Sequence, residues 1–465
     1  MSLYSREKLS NSTFLMLIVL LAGFSFFLTL ALPSVGEEGV YTNITLEMMY
    51  NNDYLRPTLY GTDYYRPPLF NWLILEITNI FGPAYVVMAA RLVTMLATLT
   101  TAGLLIWFVR TIFADTQFAL LSAAIYLSGD LLFKRGWLAY ADSLFALFVL
   151  SALIFLWFAL ERKQSLWFIA AGLSLCCGFL TKVHTIYLFY AVAGLVLMYK
   201  HQNRALLFSP LSWVVHLLAI VFPFAWAIYV KDGNTDIDAT ANYSLTLLQW
   251  PGFFNYITHV LIAYPLNLFL RFLPVSLIAI VMCYKLRSSL KSHYEYQKIN
   301  IIFWIVLLNL LPYWLAPSST IRYILPVYPF IALLIAYVVW LAGAASRQLA
   351  IQLLIVGVVL KYAFAIWWLP YEHNVYRGNA LAVAADILQH AGNDNLYIND
   401  SSSAGLRLAV ELNKLRVNKA PLTLAPAKFQ GFAITDHADT SLGQLVHTYN
   451  LRSSKLYLFF RASAD

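Results

Sequence analysis

Apolar residues in this chain gather in long runs instead of alternating with polar ones. Phe14 to Leu32 is the first such run, and others follow near 84–109, 116–133, 143–160, 165–181, 183–199, 211–230, 263–284, 300–315, 323–343 and 350–369. Each approaches the roughly 20 residues that a helix needs to cross a bilayer, so the pattern predicts about eleven transmembrane helices. The first run follows Arg6 and Lys8 but is too long for the apolar part of a cleaved signal, so it is read as a retained helix. The segment 34–83 starts too polar to span, and its 38–50 and 69–80 stretches are read as helices lying in the membrane interface. After Pro370 the pattern changes to helix-like 378–391, strand-like 396–399, helix-like 403–414, strand-like 432–435 and strand-like 456–460. That order predicts a small α/β domain over 371–465, behind a membrane domain over 1–370.

Composition removes the alternatives. Of 465 residues 60% are hydrophobic and 12% are charged, against roughly 25% charged in a soluble domain. With a mean hydropathy of +0.67, the fold class is a polytopic α-helical membrane protein. The net charge of +8 is informative through its placement. With the N-terminus in the cytoplasm, Arg110, Arg162, Lys163, Lys200, Arg204, Lys285, Arg287, Lys291 and Arg347 all fall on the inner side, as the positive-inside rule requires. The outer side then receives 34–83, 134–142, 231–262, 316–322 and everything after Pro370. Cys176, Cys177 and Cys283 lie in apolar runs with neither a disulfide framework nor a metal spacing.

Five groups place charge at the outer mouth of the membrane, where ionisable residues are functional candidates. Glu37 and Glu38 follow the first helix; they suit a helix start or a general base. Tyr65 and Arg66 precede Pro67-Pro68, and the rigid backbone presents a guanidinium fork that fits phosphate. Lys134 and Arg135 lead into Asp142, which suits a helix N-cap or a substrate contact. Lys182 and His184 sit in a tight outer hairpin, where snorkelling and packing are the simpler roles. Arg322 and Tyr323 open a proline-interrupted span, with Arg271 and Lys361 deeper in other runs. No phosphate-binding loop, dinucleotide fingerprint or HExxH spacing is present. Cations at one face without a nucleotide motif suit a phosphate arriving within the bilayer. A transporter or flippase for lipid-linked or anionic solutes is the competing reading, although no internal repeat of the kind such proteins carry is visible.

In sequence order, these groups resemble the GT-C polyprenyl-phosphate-sugar glycosyltransferases, in particular the lipid A aminoarabinose transferases and protein O-mannosyltransferase-like enzymes. The matching text is Glu37-Glu38-Gly39-Val40-Tyr41, Glu47-Met48-Met49, Asp53-Tyr54, Tyr65-Arg66-Pro67-Pro68-Leu69, Ala90-Arg91-Leu92, Asp142, Gly178 to Lys182, and Arg322 to Pro326. The ordered set, over roughly 10–345, carries the likeness. It implies a bacterial inner-membrane enzyme that moves a sugar from a polyprenyl-phosphate donor to a lipid A, glycan or protein acceptor on the outer face, with inversion. The C-terminal domain is then periplasmic, and neither nucleic acid nor an obligatory cofactor takes part. Glu37 takes the place of the family's catalytic aspartate and Arg66 that of a cation on the donor phosphate. Asp142, Lys182 and Arg322 occupy positions that line the family's cavity, and Glu38, Tyr65 and Tyr323 are expected to contact the substrate with them. Glu37 is one methylene longer than the usual Asp. Tyr65 stands where some relatives carry an acid, which takes support away from a divalent metal.

Overall fold

The computed structural model describes residues 3–129, 136–230, 250–286, 295–451 and 454–462. Lys134, Arg135, Arg287 and Lys291 therefore lie outside the described residues. Among the described residues, seven helical stretches are long and apolar enough to cross a membrane: Ser12–Thr29, Pro83–Phe113, Ala141–Glu161, Pro210–Val230, Phe253–Leu270, Tyr296–Leu315 and Ala344–Tyr371. Shorter apolar helices stand among them, including Thr116–Ser128, Trp167–Lys182, Thr185–Lys200, Val275–Leu286 and Tyr328–Leu341. At 1.5 Å per residue, a helix such as Trp167–Lys182 reaches only about 24 Å. The chain is a multi-pass membrane protein. The single span expected over 263–284 is corrected: one helical stretch ends at Leu270 and the next starts at Val275. Pro274 sits between them, and proline lacks the N–H that would continue the ladder.

The chain folds into two compact units, one of residues 1–26, 95–137 and 141–362, the other of 27–94, 138–140 and 363–465. In the first, the membrane unit, aromatic rings fill the core: Phe108 meets Trp157 edge-on at 5.6 Å, and Trp107 meets Phe158 at 4.8 Å. Lys361, expected either to line a cavity or to snorkel, does neither. It is buried, and its Nζ donates to the carbonyls of Ala22 and Leu127 at 3.1 and 3.3 Å. These carbonyls lie in the last turns of helices Leu3–Phe24 and Thr116–Ser128, where unpaired acceptors and the dipole favour a cation. The centroid of the Phe26 ring lies 3.7 Å from the ammonium. Arg271 is held locally by Asn267 at 3.2 Å.

The second unit joins residues 27–94 and 138–140 to the C-terminal residues. The expectation that helix α1 (Glu38–Asn51) lies in the interface is corrected: ten of its fourteen residues are buried, so it is an internal helix. Its hydroxyls are satisfied locally, as Thr42 and Thr45 bond the carbonyls of Glu38 and Tyr41 at 2.8 and 2.9 Å. Helix α2 (Leu69–Phe81) buries one side and leaves apolar residues open on another, with Ile74 wholly buried and Ile80 77% exposed. Between them runs a hairpin of β1 (Thr58–Leu59) and β2 (Thr62–Asp63), which the sequence pattern does not announce.

The C-terminal part has two helices, α3 (Ala380–Ala391) and α4 (Ser403–Leu415), and a four-stranded sheet. Asn379 and Ser402 cap the helices by accepting from Ala382 N and Gly405 N. The strands β3 (Leu396–Ile398), β4 (Gly431–Thr435), β5 (Gln444–Leu451) and β6 (Ser454–Arg461) run in the order β3-β4-β6-β5. The β3–β4 pair is parallel, Leu396 opposite Phe432, and the remaining pairs are antiparallel. The expected elements stand within a few residues of their positions, and β5 is an addition. Helix α4 packs closely on α1: a Cβ on Gly39 would stand 2.6 Å from the Leu406 carbonyl oxygen. Asn43 Nδ2 donates to the same carbonyl at 3.4 Å, and the Asn43 side-chain oxygen accepts from Asn413 at 2.9 Å.

Candidate active site

In the second unit, a buried ion pair fixes the start of α1. Glu38 and Arg91 are both fully buried. Arg91 Nε and Nη2 donate to the two carboxylate oxygens at 2.9 and 2.6 Å, a bidentate fork. The same carboxylate accepts from Val35 N at 2.8 Å and Ala139 N at 2.9 Å. Arg91 also donates to the carbonyls of Thr29, Leu32 and Pro33, so it ties the chain between Thr29 and Glu38 into one turn. The assignment of Glu38 as a substrate contact is corrected here. Its oxygens hold four bonds to protein and see no solvent, which makes it an anchor.

The neighbouring Glu37 is exposed and lies just outside α1, at its N-cap. Anchoring the next residue fixes its backbone while leaving its carboxylate outside. Gly36, at φ +51°, makes the preceding turn, a conformation that side chains resist. Arg66, further along this unit, is half-buried. Its Nη1 donates to Tyr41 Oη at 2.5 Å and its Nε to Tyr65 Oη at 3.1 Å, with the guanidinium 5.3 Å from the Tyr65 ring centroid. Tyr41 comes from α1 and packs edge-on against Phe70 at 5.0 Å, so the phenol that holds Arg66 is itself held. Among the described residues no carboxylate pairs with Arg66. Two neutral phenols position it and leave its charge uncompensated.

Glu47, also on α1, accepts from Thr58 Oγ1 and Tyr60 N at 2.7 Å each and from Gly61 N at 3.2 Å. It clamps the β1–β2 hairpin. Burial raises its carboxyl to about 7 despite these bonds.

The membrane unit holds the other sequence candidates together. Helices Ala141–Glu161 and Trp167–Lys182 form an antiparallel hairpin, so the start of one meets the end of the other. Asp142 and Lys182 stand at those ends and form an ion pair, each side chain about one-fifth exposed or less. Asp142 is thus an ion-pair partner in the first turn. Lys182 Nζ also lies 5.5 Å from the Tyr323 ring centroid and 5.8 Å from that of Phe145. The Arg322 guanidinium is 5.5 Å from the same Tyr323 ring. Tyr323 in turn stacks on Tyr313 at 5.7 Å and Tyr313 on Phe189 at 5.9 Å, which continues the aromatic wall. Val183 turns the chain after Lys182 at φ 54°, a conformation that a β-branched residue adopts under strain. Four candidates from three separate stretches of chain therefore share one cluster. His184 is exposed and faces Phe179 at 5.3 Å.

Among the described residues no three His, Cys, Asp or Glu side chains converge to hold a metal ion. Sequence reasoning assigns Arg91 no role, although an arginine inside an apolar run is itself a sign that it has a partner.

A family model described as dolichyl-phosphate-mannose-protein mannosyltransferase matches residues 65–229. Undecaprenyl phosphate-alpha-4-amino-4-deoxy-L-arabinose arabinosyl transferase of Pectobacterium atrosepticum is 26% identical over 329 residues, 66% of this chain and 55% of that protein. Its counterpart in Pectobacterium carotovorum is 26% identical over 383 residues, 77% of this chain and 65% of that protein. The chain thus spans about half the length of the first of these relatives and about two thirds of the second. The crystal structure of ArnT from Cupriavidus metallidurans bound to undecaprenyl phosphate superposes with a TM-score of 0.71 at 16% identity, covering 95% of this chain and 97% of that one. This chain has the fold of that ArnT. The apo structure of the same ArnT agrees, with a TM-score of 0.69. Within this fold, Asp142, Lys182, Arg322 and Tyr323 share one cluster of the membrane unit, while Glu37, Glu38, Tyr65 and Arg66 belong to the second unit.

Proposed function

We propose that the chain is a membrane glycosyltransferase that takes a sugar from a polyprenyl-phosphate donor and passes it to a lipid A, glycan or protein acceptor at the outer face of a bacterial inner membrane. The observation that carries this reading is Arg66: a rigidly held guanidinium with phenol partners and no acid. A cation left uncompensated in a half-buried position attracts an anion, and a fork suits a phosphate. The similarity to transferases whose names specify undecaprenyl phosphate supports the same donor class.

In the proposed reaction, an acceptor oxygen attacks the anomeric carbon of the donor sugar. The new carbon–oxygen bond forms as the bond to the phosphate oxygen breaks, and the configuration inverts. Polyprenyl phosphate leaves with the electron pair, and Arg66 stabilises the charge that develops on it. Glu37 takes the proton of the attacking hydroxyl. Tyr65 orients Arg66, and Glu38 with Arg91 fixes the turn that presents Glu37. Arg322, Lys182, Asp142 and Tyr323 bind polar parts of the substrates within the membrane unit. The chemistry asks for no cofactor. In this reading the N-terminus is cytoplasmic and the C-terminal domain periplasmic.

The test is release of polyprenyl phosphate from short-chain polyprenyl-phosphate sugars by the purified full chain in detergent, across a panel of donors and acceptors. Turnover of at least one donor that depends on acceptor is expected. Binding across the panel with no release would overturn the transferase reading in favour of transport.

A further inference from the structure

Beside the last turns of α1, the second unit holds a pocket of about 300 Å³. Met49 and Tyr50 of α1, Pro83, and the end of α4 with the residues after it form its walls. Its rear is fixed, because Asn413 donates to Asn43 at 2.9 Å and accepts from Leu422 N at 3.0 Å. The charged side chains on its lining are Arg416 and Lys419, and no carboxylate lines it.

Arg416 is unusual. Its Nη1 is cut off from solvent and has no hydrogen-bond partner among the described residues. Burial lowers its pKa, and no acid offsets that cost. The nearby Glu411 is occupied by Lys414 at 2.9 Å. Lys419 is exposed at the rim. A half-buried guanidinium beside an ammonium, with neither charge matched, is a setting that an anion completes.

The pocket is amphipathic as well as basic. Pro83, in its wall, is flanked in the chain by Ile80, Phe81 and Tyr85, exposed by 77%, 51% and 55%. Val417, also in the wall, is 44% exposed. Apolar side chains left in the open next to paired cations are the arrangement by which proteins seat a charged lipid headgroup with its tail alongside. Neither Arg416 nor Lys419 takes part in the proposed transfer chemistry.

We infer that this pocket binds the phosphate of an amphipathic molecule, with Arg416 and Lys419 on the phosphate and Tyr50, Pro83 and Val417 against the apolar part. The site is built from residues other than Glu37 and Arg66 and does not depend on the transferase reading.

The experiment measures fluorescent phosphatidic acid binding to the purified full chain in neutral detergent, with inorganic phosphate and phosphatidylcholine as competitors. Phosphatidic acid is expected to bind, with the Kd weakened about 5-fold by Arg416→Gln and about 5-fold by Lys419→Gln, the scale of one basic contact near a lipid surface. Lys419→Gln changes an exposed side chain and so keeps the fold, which makes its loss specific to the site. Weak competition by inorganic phosphate and none by phosphatidylcholine support a lipid phosphate. Competition by inorganic phosphate as strong as by unlabelled phosphatidic acid supports the phosphate site but overturns the role of the apolar wall. Equal binding by wild type and the double variant, or equal competition by phosphatidylcholine, overturns the proposal.

Discussion

Two arginines of the same unit are held in opposite ways. Arg91 is sealed against Glu38 and bonded at every nitrogen. Arg66 rests on the phenols of Tyr41 and Tyr65, half-buried, with no acid among the described residues. The first arrangement neutralises charge and closes a turn; it can hold structure but has nothing left to offer a ligand. The second keeps a cation in place with its charge intact. Glu37 and Glu38 divide in the same sense, one exposed and the other wholly buried. An acidic pair in sequence therefore need not act as a pair: one carboxylate fixes the backbone from which the other is presented. The Asp142–Lys182 pair in the membrane unit stands between these limits, since it is ion-paired and yet part-exposed.

Breaking the sealed side has the largest expected effect. Arg91→Ala leaves Glu38 buried and unpaired, and removing one partner of a buried pair costs about 3–5 kcal/mol. Thermal unfolding in detergent checks this, and a loss below about 1 kcal/mol would mean the turn is held by something else. The hairpin clamp is expected to respond to pH. The folded state holds the Glu47 proton up to about 7 instead of the ordinary 4.5, while the unfolded chain releases it earlier. Its contribution is therefore complete below about 4.5 and is lost as pH rises through 7, by at most about 3 kcal/mol. Hydrogen exchange of residues 58–63 between pH 4.5 and 8 should show this opening, and Glu47→Gln should flatten it. The intermediate case has the smallest effect on stability. A double-mutant cycle on Asp142→Asn and Lys182→Met is expected to give a coupling of about 1 kcal/mol or less, the range of part-exposed pairs. A coupling of several kcal/mol would put this pair with Glu38–Arg91 instead.

Much of this architecture is legible in the sequence because its elements are strongly patterned. The spans follow from apolar runs, and β3, β4 and β6 from short apolar stretches between turns. Strand β5 is hidden because only its second half, Tyr449-Asn450-Leu451, alternates; the first half is exposed and carries a register shift between Leu445 and His447. The β1–β2 hairpin is hidden because its strands are two residues long and a buried carboxylate holds them, not cross-strand packing. The Asp142–Lys182 meeting is implied by the helical hairpin between them. The Glu38–Arg91 pair is not, since 53 residues separate its members and no local pattern joins them. For the same reason α1 reads as an interfacial helix in the sequence: its cover comes from α4, more than 360 residues later in the chain.

Under the proposed function, Glu37 and Arg66 serve chemistry while Glu38 and Arg91 serve the fold. The direct measurement is polyprenyl-phosphate release per folded molecule, taken together with melting temperature, for Glu37→Gln and Arg66→Ala. Turnover is predicted to fall by a factor of about 100 or more in each variant, with melting unchanged. Reduced melting with unchanged turnover per folded molecule would contradict it.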